Sequence, residues 1–146
     1  MLDDETLLFQ LVDDLQEMFD NSENYYDVTV KKAYDGDYDI EYPLVVVREL
    51  NNTDSTRYFD GKEHIVNVGY QIEIHADQKD DIDAATNVIY IQNLIKHYMR
   101  GERYNALKRI GPSPILDDAE DSNIKIGYMR YYGCINIDTH IIYRRN

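Results

Sequence analysis

The sequence predicts an α+β fold in a single domain over residues 1–146: a mostly antiparallel or mixed β-sheet with an N-terminal helix and a second long helix packed on one face. Three observations predict it. From Ile65 to Ala76, Val66, Val68, Tyr70, Ile72, Ile74 and Ala76 alternate with Asn67, Gly69, Gln71, Glu73 and His75, a period of two that sets one strand face on a core and the other toward water. The period then changes. Ala84, Ala85, Val88, Ile91, Ile95, Tyr98 and Met99 fall on one helical stripe, away from Asn87, Asn93, His97 and Arg100. From Ile124 onward a period of two returns.

Taken in order, Leu8, Leu11, Leu15, Met18 and Phe19 make a first stripe, widened by Leu7 and Val12, so a helix is expected from about Asp4 to Asp20. Asp3 to Glu5 suit its positive end, and Asn21-Ser22-Glu23-Asn24 closes it with turn chemistry. Tyr25 to Lys32 reads as a strand through Tyr26, Val28 and Val30. Asp35, Asp37, Asp39 and Glu41 alternate with Gly36, Tyr38, Ile40 and Tyr42, which would gather carboxylates on one extended face. Their spacing fails the calcium-loop pattern, since Val46 stands where the closing glutamate belongs, and a solvated acidic face is the reading adopted. Pro43 introduces Leu44-Val45-Val46-Val47, a β-branched run suited to a buried strand near the centre of the sheet. Asn51 to Ser55 and Asp60-Gly61 are turn signals that leave Arg57 to Phe59 as a brief edge segment. The short link makes Leu44–Leu50 and Ile65–Ala76 antiparallel neighbours.

The second helix is expected from Asp81 to Arg100, capped by Asp80 or Asp81, favoured by Asp83 at its start, and stopped by Lys96, His97, Arg100 and Gly101. Tyr104 to Ile110 follows as a short strand, then a break at Gly111-Pro112-Ser113-Pro114 and an acidic loop at Asp117-Asp118-Ala119-Glu120-Asp121. In the last region Met129, Tyr131, Ile135, Ile137, Ile141 and Tyr143 share a parity opposite Arg130, Asn136, Asp138, His140 and Arg144. Gly133 keeps the parity but removes a side chain, which suggests a bend, bulge or close contact. One long bent strand and a hairpin turning near Asp138-Thr139 both satisfy this pattern.

With 28 acidic against 15 basic residues the net charge is −13, which opposes free binding to nucleic acid or an anionic membrane and favours a basic partner or plain solubility. A single cysteine, Cys134, excludes an internal disulfide. The N-terminus lacks a basic signal-peptide region and no apolar run reaches spanning length, so a soluble, cytosolic chain is expected, and the sequon-like Asn51-Asn52-Thr53 carries no meaning. Tyrosine is abundant at 14 with no tryptophan, a choice that suits strands and interfaces. No residue set names a reaction. His64, His75, His97 and His140 are scattered without zinc-site spacing, Ser113 sits between prolines, and Cys134 lacks any flanking nucleophile motif. No catalytic, cofactor-binding or metal-binding residue is assigned, and no cofactor is expected.

The order helix, strands, helix, strands, with this length and acidity, resembles the tail terminator proteins of long-tailed bacteriophages, also described as tail completion or minor capsid proteins of the head–tail neck. The resemblance rests on the opening helix, on Tyr42-Pro43-Leu44-Val45-Val46-Val47, and on Tyr70-Gln71-Ile72-Glu73-Ile74-His75-Ala76 leading into the helix. It rests also on Met129-Arg130-Tyr131-Tyr132-Gly133-Cys134-Ile135-Asn136-Ile137-Asp138 before Ile142-Tyr143-Arg144-Arg145. It implies a non-enzymatic homo-oligomeric ring, typically a hexamer, that caps the tail tube, contacts the tail-tube protein and the head connector or stopper, and lets DNA pass through its lumen without specific binding. An acidic lumen would repel phosphate. On that reading Asp117, Asp118, Glu120 and Asp121 face the lumen or a partner, against the alternative of a solvated loop. Arg144 and Arg145 contact a neighbouring subunit, against the alternative of a frayed end. Two further readings stay open: an acidic DNA mimic that blocks a DNA-binding host protein, and another neck or tail-tube protein of related fold.

Overall fold

The computed structural model describes residues 4–33, 40–50, 56–59, 63–136 and 141–143. Its elements are α1 (Asp4–Asp20), β1 (Thr29–Lys32), β2 (Leu44–Glu49), β3 (Thr56–Phe59), β4 (Glu63–Ala76), α2 (Ala84–Met99), β5 (Lys108–Arg109), β6 (Ile115–Asp117), β7 (Lys125–Asn136) and β8 (Ile142–Tyr143). The patterned strand at Ile65–Ala76 is the centre of the sheet. Along one edge, β4 runs antiparallel to β7 from Ile65 opposite Asn136 to Ala76 opposite Lys125. Its other edge is shared, with β2 antiparallel over Tyr70–His75 and β3 antiparallel over Glu63–Val66. Parallel pairing of β1 with β2 makes the sheet mixed. The outer edge of β7 is divided among β6, β5 and β8.

The α+β fold expected from sequence is therefore present, with both helices on one face. Strand alternation carries Val45, Val47, Tyr70, Ile72, Ile74, Met129 and Tyr131 to that face, where they join Leu11, Leu15 and Phe19 of α1 and Val88, Ile91 and Ile95 of α2 in one buried cluster. A smaller cluster of Ala33, Leu44 and Val46, with Tyr42 against it, lies on the opposite face. At the β1 edge, Val30 N–H donates to Gln16 Oε1 at 2.8 Å and Gln16 Nε2 donates to the Val28 carbonyl at 2.9 Å. One side chain of α1 thus satisfies backbone groups that an edge strand would otherwise present to another chain. Below α2, buried Tyr104 donates its hydroxyl to Asp14 Oδ2 at 2.5 Å, and Arg103 pairs with the same oxygen at 3.0 Å, tying the segment after α2 to α1.

Several expectations are corrected. The strand expected from Tyr25 begins only at Thr29: Tyr25 is buried, its ring under the Lys79 ammonium, while Tyr26 is exposed in a turn. The Leu44 run, by contrast, is interior and near the centre as expected, with β1 on one side and the central β4 on the other. Helix α2 starts at Ala84 with Asp83 as its N-cap, its Oδ1 accepting from Thr86 N–H at 2.7 Å, because Lys79 and Ile82 close a tight turn with Asp80 at φ 51°. Its C-cap Arg100 keeps right-handed geometry, and Gly101 is not used for a left-handed turn. Tyr104–Ile110 is a strand only at Lys108–Arg109, since Tyr104 and Leu107 are spent as buried anchors of a run of turns.

The last region is a hairpin: β8 returns antiparallel to β7, pairing Cys134 with Tyr143 and Ile135 with Ile142. The expected parity holds for Met129, Tyr131 and Ile135 but resets across the connection, so Ile142 packs on the core and Ile141 is exposed. Asn136, assigned to the polar parity, is buried. At Gly133 the pairing with β4 continues without a break, opposite Val68, and a close approach is found at Gly127. Residues 35, 37 and 39, the Asn51–Ser55 and Asp60-Gly61 turns, the Asp138-Thr139 turn, and Arg144 and Arg145 lie outside the described residues.

Candidate functional site

The face of the sheet opposite the helices carries an organised polar network. Antiparallel register sets Arg48 across from Gln71 and Val46 across from Glu73, which places the Arg48 guanidinium diagonally over the Glu73 carboxylate. Arg48 Nε donates to Glu73 Oε2 at 3.0 Å, Gln71 Nε2 donates to the same oxygen at 3.3 Å, and His75 Nε2 lies 3.7 Å from Oε1. From β7, Arg130 Nε donates to Gln71 Oε1 at 3.0 Å, extending the chain across three strands. Glu73 is only 8% exposed. Burial alone would push its carboxyl up, but His75, Arg48 and Gln71 outweigh it and hold the group down at about 2.

Beside this network a groove of about 490 Å³ runs between Gln71, Tyr128, Arg130 and Tyr132 and the Ile110–Leu116 segment. Gly111, at φ 81°, turns the chain there, a conformation glycine takes without a side-chain clash. The segment is held to β7 by Ile110 N–H donating to the Arg130 carbonyl and Tyr128 N–H donating to the Pro114 carbonyl. Ile110 and Leu116 remain exposed on its rim. Aromatic faces, an arginine and exposed aliphatic carbons suit a protein surface better than a single small polar molecule.

Two charged regions stand off this face. A pocket of about 410 Å³ at the C-terminal end of α2 is lined by Lys96, Arg100, Lys108 and Arg109 around Met99, Leu107 and Tyr131. Burial, then Arg109 and Arg100, push the Lys96 ammonium down. Burial raises the Tyr131 phenol against the opposing pull of the same two arginines. The negative end of the helix dipole accounts for Lys96 and Arg100, but not for Lys108 and Arg109 on β5. At the other end of β7 is the predicted acidic segment. Asp117 closes β6 and pairs with Lys125 Nζ at 2.5 Å, so it belongs to a strand and not to the loop. Asp118 Oδ1 accepts from Glu120 N–H, and Asp121 Oδ1 accepts from Asn123 N–H, folding the loop on its own backbone with Glu120 and Asp121 exposed and Asp118 half-buried. Burial, then Asp118, Asp121, Asp77 and Glu120, push the nearby Tyr42 phenol up.

The four acidic candidates are thus brought together; the two arginine candidates are outside the described residues. His75 serves the Glu73 network, and Cys134, buried, bonds through Sγ to Asn67 Oδ1 at 3.1 Å. These two stand far apart on the β4–β7 ladder, at Ile126 and Asn67 in register terms. Sequence reasoning missed the basic pocket and the Arg48–Glu73 pair. The available signals were the adjacent cations Lys108-Arg109 in a chain of net charge −13, and opposite charges on the polar parities of two strands already paired. Among the described residues no helix is long and apolar enough to cross a membrane. Neither a family model nor a curated protein matches this chain.

Proposed function

We propose that this chain is a structural, non-enzymatic virion protein of a long-tailed phage, made in the host cytoplasm and built into the neck as a ring. The ring caps the tail tube, joins it to the head connector or stopper, and passes DNA through its lumen. The observation that carries the reading is the segregation of α1 and α2 to one face of the sheet, in the element order the family resemblance implies. The other face, free of helices among the described residues, is left to a polar network and an apolar-rimmed groove. A subunit that must bind neighbours, a tube and a connector needs such surface, and an exposed rim of Ile110 and Leu116 beside Tyr128 and Tyr132 has the composition of a protein contact.

Size-exclusion chromatography with light scattering, followed by negative-stain microscopy and co-sedimentation with purified tail tubes, tests the proposal. The expected result is a closed ring with a central hole that pellets with tubes and blocks their further growth. A chain that stays monomeric at high concentration and does not pellet with tubes would sink it; open-ended polymerisation would make it a tube protein instead.

A further inference from the structure

We infer that the basic pocket between α2 and β5 receives the acidic 117–121 segment of a second copy of this chain. The inference rests on the ring reading and names the contact that would build the ring. Among the described residues no ion pair includes Lys96, Arg100, Lys108 or Arg109, and the one polar side-chain contact of Arg109 is its donation to Ser113 Oγ at 3.1 Å. Four cations around one recess, in a chain of net charge −13, leave a local excess of positive potential that an anionic group would neutralise.

The chain carries a matching group but cannot deliver it to itself. Asp117 pairs with Lys125 at one end of β7, whereas Lys108 and Arg109 pair with Tyr132 and Tyr131 on the same edge. At ~3.4 Å per residue these two stations are about 20 Å apart along a rigid strand. The opposite charges therefore meet only between molecules. Because the two patches are different surfaces, the contact is head to tail, the geometry that closes into rings. Nucleic acid is the less suitable occupant: a duplex carries one charge per ~1.7 Å and would drag a long polyanion across the remaining acidic surface, whereas the segment offers the exposed Asp117, Glu120 and Asp121 within a short stretch of chain.

The test uses the full chain in three forms: wild type, a pocket variant (Arg100→Glu, Lys108→Glu, Arg109→Glu) and a loop variant (Asp117→Lys, Glu120→Lys, Asp121→Lys). Light scattering is recorded at about 0.05 M and about 0.5 M salt, because screening weakens such a contact. Wild type is expected as an assembly at low salt that loses mass at high salt. Each variant alone is expected at the monomer mass of 17.2 kDa, and an equimolar mixture should regain assembly, since reversed pockets then meet reversed loops. Circular dichroism melts verify folding; if a triple variant fails to fold, the Lys108→Glu and Glu120→Lys single variants are tested in the same way. Variants that assemble like wild type, or folded variants whose mixture stays monomeric, overturn this contact while leaving the ring intact. Duplex DNA binding that the pocket variant alone abolishes, without restored assembly in the mixture, overturns it in favour of a phosphate site. A wild type that never assembles overturns the contact and the ring together.

Discussion

The β4–β7 ladder presents two faces made from the same strands, and they are stabilised by different physics. On the helix side, Tyr70, Ile72, Ile74, Met129 and Tyr131 are closed over by α1 and α2, and dispersion and apolar burial dominate. On the other side the intervening residues Gln71, Glu73, His75 and Arg130 form a connected polar system anchored on a buried carboxylate. The first face tolerates no charge. The second requires one, because Glu73 is held ionised by groups supplied from β2 and β4 itself. Alternation in a sequence thus separates two surfaces without saying that the polar one faces only water.

The largest expected effect is on the apolar face. Ile91 is fully buried at the centre of the α2 stripe, and Ile91→Asp places a carboxylate among Val88, Ile95 and the sheet with no partner in the cluster. A loss of about 4 kcal/mol or more is expected, enough to leave the chain unfolded in circular dichroism and not merely unassembled. A folded, soluble Ile91→Asp protein would break the contrast between the faces at once.

The polar face has its own signature in acid. The Glu73 carboxyl is held at about 2, against an ordinary value of 4.5, so its contribution is fully present above pH 4.5 and is lost as pH falls through about 2. A shift of that size corresponds to about 3 kcal/mol at 1.36 kcal/mol per unit. Urea midpoints measured from pH 7 down to pH 2 should show the wild type losing its advantage over Glu73→Gln across that window. Parallel profiles for the two proteins would show that the carboxylate is not held by Arg48, Gln71 and His75 as the geometry indicates.

The periodic elements were legible because one property, apolar spacing, determines them. The apolar parity from Val68 to Ala76, Val88, Ile91, Ile95 and Met99 of the α2 stripe, and Leu8, Leu11, Leu15 and Phe19 of the α1 stripe are in the core as their spacing requires, while Ala85, Tyr98, Val12 and Met18 are only partly buried. What spacing could not convey was pairing across the sheet. Arg48 and Glu73 are 25 residues apart and meet only through the β2–β4 register, and the basic pocket joins the end of α2 to β5 across a run of turns. Asn136 and Asn87 fall off the apolar spacing yet are buried, because polar side chains carry no mark of burial in a sequence. Asn87 is fully buried, with its Nδ2 donating to the Asp77 carbonyl at 3.1 Å. Lys108-Arg109 was hidden inside a segment whose tyrosine and leucine read as strand but serve as anchors.

Also on the helix side is the contact of α2 with β7 at Gly127. A Cβ built there would lie 2.5 Å from Val88 Cγ1 and 2.7 Å from Gln92 Nε2, so the helix rests on glycine backbone. Gly127→Ala should force the helix outward and reduce stability by about 2 kcal/mol, measured as a lowered urea midpoint. Equal stability would mean that α2 shifts freely on the sheet, and the apolar face would then be less tightly packed than the polar one.

The smallest effect is expected at the same contact and has the opposite sign. Gln92 is 3% exposed, and its Nε2 has no hydrogen-bond partner among the described residues. A buried donor left unsatisfied is destabilising, whereas an unbranched apolar side chain of similar length fills the same space without it. Gln92→Met should therefore raise the urea midpoint by the equivalent of about 1 kcal/mol. A fall instead would show that Gln92 is satisfied, by solvent or by a partner, and that polarity reaches through the sheet to the helix side at this one position.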